Sequence, residues 1–131
     1  MTSTPKIGTV GEVMFTVETK HAIEFAGDGM PAVLSTPNLI GIIERTARQC
    51  LLPFQEPNER SVGIEIELRH LAPTPVGRNV TCTTRVIHVE GREITFQIEA
   101  RDEREIIARG LHKRYIIRIE PFAKRVAQKS R

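Results

Sequence analysis

Residues 9–18, TVGEVMFTVE, set Val13, Phe15 and Val17 on one side of an extended chain, the two-residue period of a strand. HAIEFAG, 21–27, reads as a second short strand, and GDGMP, 27–31, breaks the pattern. The period then changes. Ile40, Ile43, Ala47 and Leu51 recur at helical spacing, with Asn38, Arg45, Arg48 and Gln49 on the opposite side. Thr36 is the expected N-cap, Pro37 occupies the first helical position where its missing N–H costs nothing, and Pro53 follows the last turn.

Beyond the polar loop QEPNER, SVGIEIELRHLA alternates strictly, with Val62, Ile64, Ile66, Leu68 and His70 on one face and Gly63, Glu65, Glu67 and Arg69 on the other. After the PTPVG turn, 79–89 and 93–101 are rich in β-branched residues and joined by the short turn Glu90-Gly91-Arg92, a hairpin signature. A last strand is expected over 106–119, with Ile107, Leu111, Tyr115 and Ile117 forming a second apolar face. From about 121 to 131 the tail is basic and reads as a loose end or a terminal helical turn. One strand region, one central helix and four consecutive antiparallel strands make an α+β chain whose sheet can cover its apolar face by wrapping around that helix. The second apolar face leaves room for a partner subunit.

Three polar residues interrupt these patterns. Glu44 lies at the edge of the buried helical stripe, where a carboxylate is costly unless it is paired or protonated; the alternative is that it reaches out to water. His70 continues the inward row of its strand, either as a satisfied rim residue or as an imidazole facing the helix. Thr36 brings a hydroxyl to a helix N-terminus, as a cap alone or as a nucleophile beside donors that favour negative charge. A carboxyl and an imidazole sharing one apolar space shift each other's protonation, which is how an acid and a base arise near neutral pH. Eight residues of helix separate Thr36 from Glu44, a rise of about 12 Å, so within one chain they cannot touch. A substrate or water bridges them, or they come from different protomers of a dimer.

Composition narrows the function classes. With 131 residues the chain is a single domain, 1–131. The 19 basic and 16 acidic residues are interspersed, and a net charge of +3 without a concentrated patch argues against nucleic acid. Cys50 and Cys82 have neither metal-ligand spacing nor a disulfide framework. No stretch has the ~20 apolar residues of a membrane span and the N-terminus has no signal core, so no membrane partner and a cytoplasmic location are expected.

Over roughly residues 10–117 the chain resembles the hot-dog-fold thioesterases, within them the fluoroacetyl-CoA thioesterase-like group, through VLST to IGIIE, VGIEIELRHLAPTPVG and ARGLHKRYII. The resemblance carries the family's catalytic threonine, glutamate and histidine onto Thr36, Glu44 and His70, and its substrate-binding glycine and arginine onto Gly63 and Arg114. It implies a hot-dog fold, a homodimer joined edge to edge with the pairing of dimers into tetramers left open, and two acyl-CoA sites at the subunit boundary. No metal and no cofactor are implied; coenzyme A enters only as part of the substrate. Pro37 beside Thr36, and a GDGMPAV loop with no aromatic-rich lid, separate the chain from the fluorinated substrate and favour a short or medium acyl group. The arginines Arg69, Arg78, Arg114 and Arg118 are candidates to meet coenzyme A phosphates. The alternatives are a non-catalytic acyl-CoA binding module and an acyl-thioester hydratase or dehydratase; the latter is disfavoured because no histidine closely follows Asp28.

Overall fold

A computed structural model describes residue 1 and residues 3–131. The elements run β1 (Val10–Thr16), α1 (Thr36–Leu51), β2 (Glu59–His70), β3 (Asn79–Glu90), β4 (Glu93–Arg101), β5 (Ile106–Arg118) and α2 (Ile119–Lys129). The five strands form one sheet in the order β1-β3-β4-β5-β2, with every neighbouring pair antiparallel. Local chemistry explains the two hairpins: Gly91, at φ +59°, turns β3 into β4, and the Asp102 carboxylate accepts from the Arg104 and Glu105 N–H groups to turn β4 into β5. The 21–27 segment is not a strand. It makes only isolated bridges, Ala22 to Leu34 and Gly27 to Met30, because Gly27, Asp28 and Gly29 all take positive φ and hold the backbone out of extended geometry.

The sheet closes over α1 as its polarity requires. Leu39, Ile43, Ala47 and Leu51 are completely buried against Val80, Cys82, Phe96, Ile98 and Ile116. Each buried Leu or Ile contributes about 2 kcal/mol by removing its surface from water. The stripe is rotated from the expected one: Leu39 and Ile42 are buried while Ile40 is only partly covered.

The expected inward row on β2 breaks at a bulge. Gly63 pairs with Arg114 but Glu65 with Lys113, so Ile64 is an extra residue and the parity reverses across it. Upstream, Ser61 and Gly63 face the helix side and Val62 turns outward opposite Tyr115; downstream, Ile66, Leu68 and His70 face the helix side. His70 thus keeps its inward direction, whereas Ile64 and Ile66 stay exposed at the sheet edge. On β5, Ile107 is buried rather than part of an outer face: the register against β4 shifts there, Ala100 pairing with Ala108 and Arg101 with Ile106, so Ile107 falls outside the alternation. Nor is the tail loose: α2 has 11 residues, with Pro121 tolerated in its first turn.

One interior carboxylate ties Met1 and the β3–β4 turn to the start of β2. Glu59, 1% exposed, accepts from Glu56 N–H at 3.0 Å, from the Met1 ammonium at 3.0 Å and from Arg92 at 2.7 Å. The Glu56 N–H, then the ammonium and Arg92, outweigh desolvation and hold its pKa at about 2. A carboxyl whose folded pKa lies below its unfolded value of ~4.3 stabilises the fold above that value and loses the contribution as pH falls toward 2. Thermal melts of Glu59→Gln should therefore fall below wild type at neutral pH, with the gap narrowing from about pH 4 downward; a gap independent of pH contradicts the linkage.

Candidate active site

The N-cap of α1 is Ser35, not Thr36. Ser35 Oγ accepts from the Asn38 N–H at 3.2 Å and its carbonyl from the Leu39 N–H at 3.0 Å. Thr36 is the first helical residue, so its hydroxyl is not spent on capping. It lies 2.8 Å from Nδ1 of His70, which ends β2 on the inward parity. Since Pro37 has no N–H, the Thr36 N–H is the donor of this first turn that has no partner among the described residues.

Thr36 and His70 line a cleft of about 290 Å³ whose other walls are the apolar side chains of Ile23, Val33, Leu71 and Pro73 among others. Burial pushes the His70 pKa below the ordinary imidazole value, a backbone contact with Ala72 partly offsetting it. The other ring nitrogen, Nε2, is buried and has no hydrogen-bond partner among the described residues. A buried imidazole nitrogen left unpaired is costly in an isolated chain.

Glu44, two turns further along α1, lines a different cleft, of about 250 Å³, with Gly63, Glu65, Ile66 and His112. Its carboxylate is 46% exposed, so within one chain the acid and the imidazole do not share the single apolar space that the sequence suggests. Arg114, at 4% exposure, approaches it to 3.6 Å. That guanidinium is itself fixed: Nε donates to Ser61 Oγ and Nη2 to the Ser61 carbonyl, both at 2.9 Å, and Nη1 lies 3.2 Å from His112 Nε2. Because a guanidinium only donates, His112 Nε2 accepts, and its Nδ1 carries the proton that goes to the Glu65 carbonyl at 2.8 Å. His112 is thus neutral, with burial, then the Arg114 charge, lowering its pKa against the Glu65 bond. Gly63 completes the arrangement: a Cβ there would stand 2.5 Å from Glu44 Oε2 and 3.2 Å from His112 Cε1. Arg114 is therefore enclosed beside Glu44, not on a surface that meets a coenzyme A phosphate.

Ser61 and His112 were not singled out by sequence. The signal for His112 was present, since it shares parity with Ala108, Arg114 and Ile116 on β5; Ser61 was hidden by the bulge, which reverses the apparent face of its strand. No group of three or more metal-ligating side chains occurs among the described residues.

Comparison with known proteins gives the family and the fold. The sequence profile of the family described as fluoroacetyl-CoA-specific thioesterase matches residues 17–120. The fluoroacetyl-CoA thioesterase of Streptantibioticus cattleyicolor is 36% identical over 100 residues, 76% of this chain and 72% of that protein. A solved structure of a fluoroacetyl-CoA thioesterase superposes with a TM-score of 0.89 at 30% identity, covering 97% of this chain and 98% of that one. A hot-dog-like protein from Thermanaerovibrio acidaminovorans gives a TM-score of 0.87 at 25% identity, over 94% and 91% of the two chains. With the profile spanning most of its length and the helix-in-sheet architecture shared, the chain belongs to the fluoroacetyl-CoA-specific thioesterase family, thioester hydrolases on a hot-dog scaffold.

Proposed function

We propose that the chain hydrolyses a short or medium acyl-CoA to the free acid and coenzyme A, at a site where one protomer of a homodimer supplies Thr36 and His70 and the other supplies Glu44. The observation that carries this reading is the half-finished relay in each chain: Thr36 Oγ1 bonded to His70 Nδ1, and His70 Nε2 buried without a partner. Glu44, held by Arg114 in another cleft, is a carboxylate of the kind that nitrogen lacks.

The topology supports the union. β2 is an edge strand with exposed Ile64 and Ile66, a surface suited to pairing with a second copy. Antiparallel pairing of two β2 strands about a twofold between Ile66 and Glu67 sets Gly63 opposite the partner's His70, because the two residues are equally far from the axis. Glu44 touches the space above Gly63, so it follows to the same point.

In the joined site Glu44 accepts a hydrogen bond from the Nε2–H and so fixes the tautomer in which Nδ1 is a base. Nδ1 takes the Thr36 proton as Oγ1 attacks the thioester carbonyl, and the unpartnered Thr36 N–H, at the positive end of α1, stabilises the oxyanion. The carbon–sulfur bond breaks, the thiolate leaves and is protonated, and water then cleaves the acyl ester with His70 again as base. Rapid-quench mass spectrometry should find the acyl group on Thr36; its absence during turnover would assign the attack to water instead.

The cleft beside Thr36 is small and apolar, which favours acyl groups of few carbons. Thiol release measured over acyl-CoAs of increasing length should peak at short or medium chains, and binding without turnover would overturn the reading. Burial lowers the His70 pKa in the single chain, whereas a Glu44 carboxylate set on Nε2 favours the imidazolium. Glu44→Gln should therefore move the acid limb of kcat/KM to lower pH; a limb that stays where it was would separate the carboxylate from the imidazole.

A further inference from the structure

α2 and the end of β5 flank a third cleft, a groove of about 350 Å³ on the outer side of the sheet. Its lining brings together three guanidinium groups, Arg92, Arg118 and Arg125, and two aromatic rings, Tyr115 and Phe122, both about 40% exposed. No carboxylate lines it. Arg92 is partly committed to Glu59, but Arg118 and Arg125 are exposed and make no ion pair among the described residues. Guanidinium groups match phosphate oxygens, and exposed aromatic faces stack on a base or a guanidinium plane. The ligand chemistry is a phosphorylated nucleotide rather than a simple anion, which needs no rings, or a fatty chain, which needs no charge.

We infer that this groove receives the phosphorylated adenosine end of the coenzyme A thioester whose acyl end lies in the shared cleft. This deepens the proposed function and rests on its dimer. Position supports it: Tyr115 pairs with Val62 and Arg118 with Glu59, so the groove follows β2 upstream of Gly63. In the twofold register proposed above, residues 63–70 of the two β2 strands face each other. Residues 59–62 instead face the segment that follows the partner's His70, which is no longer strand. The sheet seam therefore opens beside the groove, giving the pantetheine arm a way from the buried thioester to the outer face.

The test uses Arg118→Ala/Arg125→Ala against wild type on two substrates with the same acyl group, the coenzyme A ester and the N-acetylcysteamine ester, which has no nucleotide. The variant should raise KM for the coenzyme A ester about tenfold or more, with kcat unchanged, and leave the N-acetylcysteamine ester unaffected. Equal effects on both substrates, or no effect on either, overturn the assignment. Calorimetry with adenosine 3′,5′-bisphosphate gives a readout independent of turnover: wild-type binding that the variant loses supports the site, and absence of binding to wild type counts against it. A site that binds ADP while KM for the coenzyme A ester does not respond would be a free-nucleotide site, and the inference fails. If wild type hydrolyses neither ester yet binds the bisphosphate, the catalytic reading falls and the groove stands.

Discussion

Glu44→Gln is expected to reduce kcat for acyl-CoA hydrolysis about 10³-fold while the protein stays folded, the loss typical of removing a group that works through proton transfer. Glutamine keeps the shape of the side chain and one acceptor oxygen while it removes the charge and replaces the other oxygen with a donor, so the Arg114 side of the site remains filled and the defect lies in charge and hydrogen bonding. Thr36→Ala should be at least as damaging. The proposed division of the site between chains gives this pair a more discriminating outcome. When the two inactive proteins are unfolded together, refolded and assayed, heterodimers carry one site with both defects and one with neither. About a quarter of wild-type activity should return from statistical mixing, half of the dimers being mixed and each having one intact site of two. No recovery in verified heterodimers would place all three groups in one chain and defeat the shared site.

Gly63→Ala is the second large effect, and it comes from a single methyl group. The new Cβ meets Glu44 Oε2 at 2.5 Å, closer than carbon and oxygen approach, and Arg114 Nη1 at 3.4 Å. Arg114 is braced by Ser61 and His112 and is slow to yield. The half-exposed Glu44 is the group with room to move, so the carboxylate swings away from the position the relay needs. A displacement of about 1 Å costs on the order of 10²-fold in rate, and kcat should fall accordingly with little change in melting temperature. Activity close to wild type in Gly63→Ala would show that the carboxylate is not held where the geometry puts it. His112 and Ser61 brace Arg114 beside the same carboxylate, so they are positioning residues.

Much of the fold was legible in the chain because its signals are local. The limits of β3, β4 and β5 follow from β-branched runs and a glycine turn, and α1 is bracketed by prolines, so sequence and structure agree there within a residue or two. Where the reading went astray, the deciding contact was distant. The β2 bulge is set by register against β5, a strand about fifty residues later, and alternation in β2 itself gives no sign of it. The cap of α1 passed from Thr36 to Ser35 by one residue, a shift with chemical consequence because it frees the hydroxyl. α2 was obscured by Pro121, which marks a helix start as readily as a stop.

For the site, the residue types and their faces were fixed by sequence alone: His70 on the inward parity, Glu44 at the stripe edge, Thr36 at a helix start, and too long a rise between the last two for contact. These depend only on the periods of helix and strand, which every residue carries with it. Tertiary structure decided which groups meet. It joined Thr36 to His70, set Arg114, Ser61 and His112 behind Glu44, and left one imidazole nitrogen buried without a partner. Those contacts join side chains on different elements, so they exist only once the sheet has closed on the helix and the register of its strands is fixed.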